Sequence, residues 1–132
     1  LDGTIDCIAT DHAPHAKEEK AQPMTKAPFG IVGSETAFPL LYTNFVKNGD
    51  WSLQQLVDYL TIKPSQIFDL PYGRLEEGGL ADLTVINLEE EKEIRAEDFA
   101  SKGTNTPFIG GKVFGTPVLT LVEGEVKFKE EK

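Results

Sequence analysis

Cysteine is almost absent from this sequence, since Cys7 is the only one in 132 residues. A single cysteine excludes an intrachain disulfide and indicates a reducing compartment. Cys7 lies within a short apolar run, so we interpret it as a buried structural thiol rather than a nucleophile.

Basic residues and long hydrophobic runs are also scarce. Thirteen Lys and Arg face 22 Asp and Glu, and the formal net charge of −9 disfavours nucleic acid or an anionic membrane as a partner. No apolar run reaches membrane-spanning length, and no secretory signal is visible. With 39% hydrophobic and 27% charged residues, the composition is that of a globular protein and not of a disordered one. We therefore expect a cytoplasmic protein.

Metal ligands are few as well. The sequence has two histidines, His12 and His15, and no HxH pair. A zinc site takes about three or four protein ligands, so the chain is not expected to complete one by itself. The length is about half that of a typical α/β barrel, and the chain opens on Leu1 rather than Met. We expect a fragment or a processed product.

The richest stretch comes early. Residues 5–9 form an apolar run typical of a buried parallel strand, and TDHAPH follows it directly. Asp11 is a candidate metal ligand, general base, or both. His15 comes after Pro14, which disfavours a continuous helix from Asp11, so both are interpreted as loop residues that converge on one pocket. On spacing alone, Asp11 can equally be a turn residue or helix cap, with His12 and His15 as polar loop residues.

A loop and several helices are predicted next. Residues 21–33 have no periodicity and include prolines, which indicates a loop long enough to cover a pocket. Ser34 is a candidate cap for a helix over residues 34–47, although Pro39 would disturb its first turn. Ser52 opens a capping box before a second amphipathic helix, with Trp51 packing onto it. A short helix starting at Pro64 is expected to turn Ile67 and Phe68 inward.

The second half reads as an antiparallel sheet. Residues 81–88 and 112–122 are predicted strands, and Glu123-Gly124 predicts a hairpin turn into residues 125–129. Gly110-Gly111 indicates another turn. We place the domain boundary at residue 70, with the pocket strand, a loop and helices in residues 1–70 and an antiparallel sheet in residues 71–132.

Several segments resemble one enzyme family. IATDHAPH followed by KAPFGIVGSET is similar to the metal-binding and substrate-binding stretch of bacterial dihydroorotases, which are cyclic amidohydrolases. The resemblance continues through LPYGRLEEGGLADLTVINL and NTPFIGGKVFGTPVLTLVEGEV, and so covers nearly the whole chain. It implies an α/β fold: the C-terminal part of a metal-dependent (β/α)8 TIM-barrel amidohydrolase plus part of a small β-sandwich domain.

The resemblance also implies roles for particular residues. Asp11 matches the aspartate that ends the eighth barrel strand, binds zinc and acts as general acid/base. His15 matches a contact to the substrate carboxylate, and Pro28, Phe29 and Gly30 match the loop that closes on the substrate. Two zinc ions are implied, with their remaining ligands absent from this chain.

The implied activity is the reversible, zinc-dependent interconversion of N-carbamoyl-L-aspartate and L-dihydroorotate in pyrimidine biosynthesis. A hydantoinase or allantoinase would share the fold and metal chemistry, but is not expected to combine DHAPH with APFG. A non-catalytic barrel remnant acting as a structural or interaction domain is the other alternative. The isolated chain is expected to be inactive, and to self-associate or to require the missing N-terminal part of the same protein.

Overall fold

The structure is a computed structural model that describes residues 2–130. Its α-helices lie in the first half of the chain: α1 (Lys17–Lys20), α2 (Ala37–Leu41), α3 (Leu53–Leu60) and α4 (Ile62–Ile67). A π-helical turn, Tyr42–Val46, continues α2, and a single 3₁₀ turn, Ala96–Asp98, lies between strands of the second half.

The strands lie in the second half: β1 (Leu83–Asn87), β2 (Lys92–Glu93), β3 (Lys112–Val113), β4 (Thr116–Val122) and β5 (Glu125–Lys129). They form a three-stranded antiparallel sheet in the order β1-β4-β5 and a separate antiparallel pair, β2-β3. The predicted strands of the second half are thus confirmed. Phe114 and Gly115 separate β3 from β4 within the predicted run.

The β4-β5 hairpin follows from its turn residues. Glu123 and Gly124 both have positive φ, 52° and 80°, as a two-residue type I′ turn requires. The strands flanking it pair from Val122 with Glu125 outward, with an irregularity after Thr120. The predicted turn at Gly110-Gly111 is also present, since the Gly111 N–H donates to the Phe108 carbonyl at 3.0 Å.

The capping box at Ser52 was correctly predicted. The Ser52 hydroxyl accepts from the Gln55 N–H at 3.1 Å, and the Gln55 side chain accepts from the Ser52 N–H at 2.8 Å. These two bonds satisfy backbone donors that a helix start leaves free. Trp51, just ahead of the cap, stacks on Phe45 and contacts Tyr59 of α3, as expected of a residue that packs onto the helix.

The first predicted helix starts later than expected. The cap position is Thr36, without a side-chain cap, and Ser34 lies outside the helix. This later start places Pro39 in the first turn of α2, where a missing N–H removes no helical hydrogen bond. Pro64 likewise lies inside the first turn of α4 rather than at its first position.

The predicted strand at residues 5–9 is absent from the described structure. Ile5 is 70% exposed, and a backbone hydrogen bond of this segment runs to a helix, from the Ile8 N–H to the Tyr59 carbonyl at 3.1 Å. A strand exists only in a hydrogen-bonded ladder, and no described segment pairs with this one. Cys7 is accordingly half-buried rather than buried.

The inward orientation predicted for Ile67 and Phe68 was wrong, since these side chains are 51% and 67% exposed. The fully buried apolar side chains are instead Val32 and Leu56, with Ile94 and Val113 nearly so. Val32 lies near the C-terminal end of the predicted loop over residues 21–33, so this small core anchors one end of that loop. Among residues 2–130, no helix is long and apolar enough to cross a membrane.

Candidate active site

Asp11 lies in a backbone conformation that is uncommon for a non-glycine residue. Its φ is +46°, in the left-handed region, which aspartate tolerates better than most residues. The residue is exposed, and within residues 2–130 its carboxylate takes part in none of the side-chain hydrogen bonds or ion pairs. The carboxylate oxygens of Asp11 therefore remain free to bind a ligand.

His15 contacts the loop that was predicted to bind substrate. Its Nε2 lies 2.8 Å from the carbonyl oxygen of Phe29, and because a carbonyl can only accept, Nε2 carries the proton. The other ring nitrogen, Nδ1, lies 3.7 Å from the Glu19 carboxylate. The structure thus joins His15 to Phe29 through a direct hydrogen bond.

Lys20, at the end of α1, hydrogen-bonds to the loop. The Lys20 ammonium donates to the carbonyls of Pro28 at 3.0 Å and Gly30 at 3.1 Å. Gly30 has φ +101°, and a Cβ there would lie 2.4 Å from the Cβ of Ala13. Only glycine fits this close approach between the loop and residues 11–15, which we call the aspartate segment.

Asn105 also binds this loop, from a remote part of the chain. Its Oδ1 accepts from the His15 N–H at 2.9 Å, and its Nδ2 donates to the carbonyls of Ala13 at 3.0 Å and Gly30 at 3.2 Å. The sequence does not single out this residue, because asparagine in an Asn-Thr-Pro stretch is typical of an ordinary turn. Its neighbour Gly103, which is buried, gives a weak signal of close backbone approach.

Three segments, one of which is the loop, are joined by these and further hydrogen bonds. The Ala13 N–H donates to the Ile31 carbonyl at 2.9 Å, and residues 12 and 31 form an isolated parallel bridge. The Val32 N–H donates to the Asn105 carbonyl at 3.0 Å. Backbone and side-chain bonds together connect the aspartate segment, the loop and the segment around Asn105.

His12 has a structural role. Its Nδ1 accepts from the N–H groups of Gly33 and Ser34, both at 3.1 Å, so Nδ1 is unprotonated. Nε2 then carries the proton and donates to the Ser101 hydroxyl at 3.2 Å. Glu35 lies 4.0 Å from Nδ1, so Ser101, His12 and Glu35 have the residue types of a serine hydrolase triad. They do not act as one, because an imidazole that donates to the serine hydroxyl cannot accept the hydroxyl proton.

Glu35 completes this cluster. One carboxylate oxygen accepts from the Ser101 N–H at 2.9 Å, while Oε2 is buried without a hydrogen-bond partner. Burial alone would raise the pKa of Glu35, but hydrogen bonds from Ser101 outweigh it and the net pKa lies below the usual glutamate value. Glu35 is therefore ionised at neutral pH and fixes the Ser101 segment beside His12.

The described residues do not form a complete metal site. No group of three or more His, Cys, Asp or Glu side chains within residues 2–130 is placed to hold a metal ion. The nitrogens of His12 are both engaged, and His15 uses Nε2 on the loop. The donor set fits Asp11 as a single carboxylate ligand to an ion whose other ligands lie outside these residues.

A shallow groove of about 380 Å³ runs along the outer side of the loop. Its lining includes Lys20, Met24, Phe29 and Gly30, but neither Asp11 nor His15. The Phe29 side chain is 91% exposed beside it. The predicted catalytic and loop residues therefore do not share this groove.

Comparison with known proteins gives consistent relatives. The amidohydrolase family matches residues 1–127. The chain is 76% identical over all 132 residues to a dihydroorotase of Staphylococcus aureus (strain N315), and 75% identical to one of Staphylococcus epidermidis. It spans about a third of the length of these curated relatives, 31% in each case.

Solved structures show the same fold. The L-hydantoinase (dihydropyrimidinase) from Arthrobacter aurescens superposes with a TM-score of 0.89 at 36% identity, over 98% of this chain and 30% of that one. A D-hydantoinase (dihydropyrimidinase) from Thermus sp. gives 0.86 at 29% identity, over 95% and 28% of the two chains. The predicted fold class, part of an α/β TIM-barrel amidohydrolase with part of a β-sandwich, is confirmed. Amidohydrolases are generally metal-dependent. From the match over residues 1–127, the chain belongs to the amidohydrolase family.

Proposed function

We propose that this chain is the C-terminal part of a dihydroorotase, which interconverts N-carbamoyl-L-aspartate and L-dihydroorotate in cytoplasmic pyrimidine biosynthesis. The observation that carries the proposal is the 76% identity to the Staphylococcus aureus dihydroorotase over the whole chain. In this proposal residues 1–70 belong to the barrel domain and residues 71–132 to the β-sandwich.

The reaction opens or closes a cyclic amide. It needs an activated water, a polarised carbonyl and a proton for the leaving nitrogen. Two zinc ions, when bound, would lower the pKa of water and act as Lewis acids on the carbonyl. Asp11 is the residue of this chain proposed to bind zinc, and the other ligands would come from the rest of the enzyme.

Asp11 is proposed as the general acid/base. In hydrolysis its carboxylate takes a proton from the attacking water and delivers it to the amide nitrogen as the C–N bond breaks. In ring closure it removes the proton from the nitrogen and returns it to the departing water. The exposed carboxylate, which makes no hydrogen bond or ion pair within residues 2–130, supports this role.

His15 is proposed to bind the substrate carboxylate together with Pro28, Phe29 and Gly30. A ring nitrogen can meet a carboxylate only as a donor. Either Nε2–H exchanges the Phe29 carbonyl for the substrate, or Nδ1 is protonated and donates while Nε2 stays on the loop. In both cases the contact between His15 and the loop couples substrate binding to loop position.

Two alternatives have specific support. The fold likeness to hydantoinases at 36% and 29% identity favours another cyclic amide substrate, but the identity to dihydroorotases is twice as high. For the isolated chain, the lack of a complete metal site among residues 2–130 supports a non-catalytic remnant. Exposed apolar side chains, Ile5, Phe68 and Leu75 among them, support a covering partner, either the rest of the enzyme or a second copy.

The test uses a full-length protein that contains this chain, with Asp11→Asn as the variant. The amide keeps the shape of the carboxylate but cannot carry the proton. Because general acid/base catalysis is worth about 10²–10⁴-fold, we expect kcat to fall at least about a hundredfold in both directions. A variant that keeps more than about a tenth of the wild-type kcat would exclude Asp11 as the acid/base.

A further inference from the structure

We infer that Asn105 is a positioning residue that fixes His15 and the Phe29-Gly30 loop in the geometry in which they meet the substrate. The inference rests on the proposed function for its catalytic meaning. Its structural basis is independent of that function, since it lies in the three hydrogen bonds of one carboxamide.

The carboxamide of Asn105 uses both of its ends. Oδ1 accepts from the backbone of His15, and Nδ2 donates to the carbonyls of Ala13 and Gly30. The first two partners belong to the aspartate segment and the third to the loop. One planar group therefore sets the spacing between the two segments.

The environment of Asn105 leaves little room for other arrangements. A Cβ on Gly103 would lie 2.9 Å from Asn105 Oδ1, 2.9 Å from the His15 nitrogen and 2.9 Å from the Cβ of Pro14. The backbone of Asn105 itself accepts from Val32, a fully buried residue. The carboxamide is thus held by a packed segment and cannot follow the loop if the loop moves away.

Gly30 receives two donors on one carbonyl. Lys20 Nζ approaches at 3.1 Å and Asn105 Nδ2 at 3.2 Å. Since Lys20 is on α1 and a flexible side chain, its ammonium can follow a moving loop. Asn105 is the fixed partner, so we assign the position of the loop to Asn105 rather than to Lys20.

The experiment compares Asn105→Asp and Asn105→Ala in the full-length protein, with Asn48→Ala as the control. In Asn105→Asp, the aspartate can still accept from the His15 N–H. Its second oxygen replaces the Nδ2 donor and therefore faces the carbonyl oxygens of Ala13 and Gly30 without a proton to share. Asn48 is an exposed asparagine in the turn after the π-helical segment, and its side chain donates to the Asn44 carbonyl, so its loss removes an asparagine hydrogen bond that does not involve the loop.

The first measurement is hydrogen–deuterium exchange, which needs no activity. The Ala13 and Val32 N–H groups donate to the Ile31 and Asn105 carbonyls, so these two amides report on the junction between the loop and its neighbours. We expect both amides to exchange at least about tenfold faster in the two Asn105 variants, and at the wild-type rate in Asn48→Ala. Exchange of the His15 amide should accelerate in Asn105→Ala more than in Asn105→Asp. Unchanged exchange of the Ala13 and Val32 amides in a folded variant would overturn the inference, and a fold lost only by Asn105→Ala leaves Asn105→Asp to decide it.

The second measurement separates positioning from stability. With dihydroorotate, we expect Asn105→Asp to raise KM about tenfold or more, with zinc content unchanged and a smaller effect on kcat. Adding His15→Ala should raise KM little further, because both changes act on one contact. A lowered melting temperature with unchanged KM, or two effects that multiply, would make Asn105 merely structural.

Failure of the proposed function is recognised separately. If wild-type protein hydrolyses hydantoin but not dihydroorotate, the dihydroorotase proposal fails and the KM comparison is made with hydantoin. If it hydrolyses neither, the exchange measurement alone decides whether Asn105 positions the loop.

Discussion

Two histidines three positions apart use their ring nitrogens in different ways. His12 accepts from two backbone N–H groups and donates to Ser101, so its ring is saturated by protein. His15 donates to Phe29 and turns its other nitrogen toward an exposed glutamate, Glu19. Only His15 therefore has a ring nitrogen available to a ligand.

This difference predicts opposite phenotypes in a full-length enzyme. His15→Ala should weaken substrate binding by about 1.5–3 kcal/mol, seen as a raised KM, because a charge-assisted hydrogen bond is lost. Zinc content, measured by elemental analysis, should stay at the wild-type level. Loss of zinc would instead make His15 a metal ligand.

His12→Ala is the matched control. It leaves two backbone donors without their acceptor, which typically costs about 1–3 kcal/mol for a group shielded from water. We expect a lower melting temperature and a KM close to wild type. A KM that rises as much as in His15→Ala would show that the two rings do not differ in role.

Gly30 allows a prediction about steric fit. Gly30→Ala places a Cβ 2.4 Å from Ala13 and puts a side chain at φ +101°, so the loop must move away from the aspartate segment. Gly49→Ala is the control for backbone strain alone, since Gly49 has φ +84° and open space around it. We expect kcat/KM to fall at least about tenfold in Gly30→Ala only. Equal losses in both variants would assign the effect to strain.

At the scale of elements, α3 tests the capping box. Ser52→Ala removes the acceptor for the Gln55 N–H and should lower the free energy of unfolding by about 1 kcal/mol. Ser34→Ala serves as the control, because Ser34 resembles a cap in the sequence but lies outside α2. Urea unfolding of the full-length protein gives both values. A cost for Ser34→Ala as large as that for Ser52→Ala would contradict the assigned helix starts.

The elements that could be predicted are those whose signals are local. The Glu123-Gly124 turn specifies its own hairpin through two positive φ values, and Ser52 caps a helix through a residue three positions on. The strand predicted at residues 5–9 is absent, because an apolar run becomes a strand only beside partner strands, and residues 2–130 do not supply them. The predicted burial of Ile67 and Phe68 was wrong for a related reason. An apolar face of a helix indicates which residues would pack against another element, but not whether that element is present.

The candidate site could likewise be predicted from the sequence only in part. His15 hydrogen-bonds to Phe29, a residue of the loop that the resemblance pairs with it at the substrate. The convergence of Asp11 and His15 on one pocket stays a prediction. Asn105 could not be predicted, since its side-chain hydrogen bonds join residues 75 to 92 positions apart and its type is common in turns. The roles of Asp11 and Gly30 in catalysis stay predictions.

For the whole molecule, the site depends on both halves of the chain. Asn105 and Ser101 from the second half contact His15 and His12 from the first. The buried core is small, with Val32 and Leu56 fully enclosed, while Phe29, Leu75 and Ile5 are more than two-thirds exposed. Packing alone therefore gives modest rigidity, and the hydrogen-bonded segments around Asn105 define the geometry of the loop.

The central proposal is that the site acts on dihydroorotate. The most direct measurement is kcat/KM of the full-length protein for dihydroorotate and for hydantoin under the same metal and pH conditions. Because His15 and the loop are proposed to bind the carboxylate that hydantoin lacks, we expect dihydroorotate to be preferred by at least about a hundredfold. Equal values, or a preference for hydantoin, would contradict the proposal.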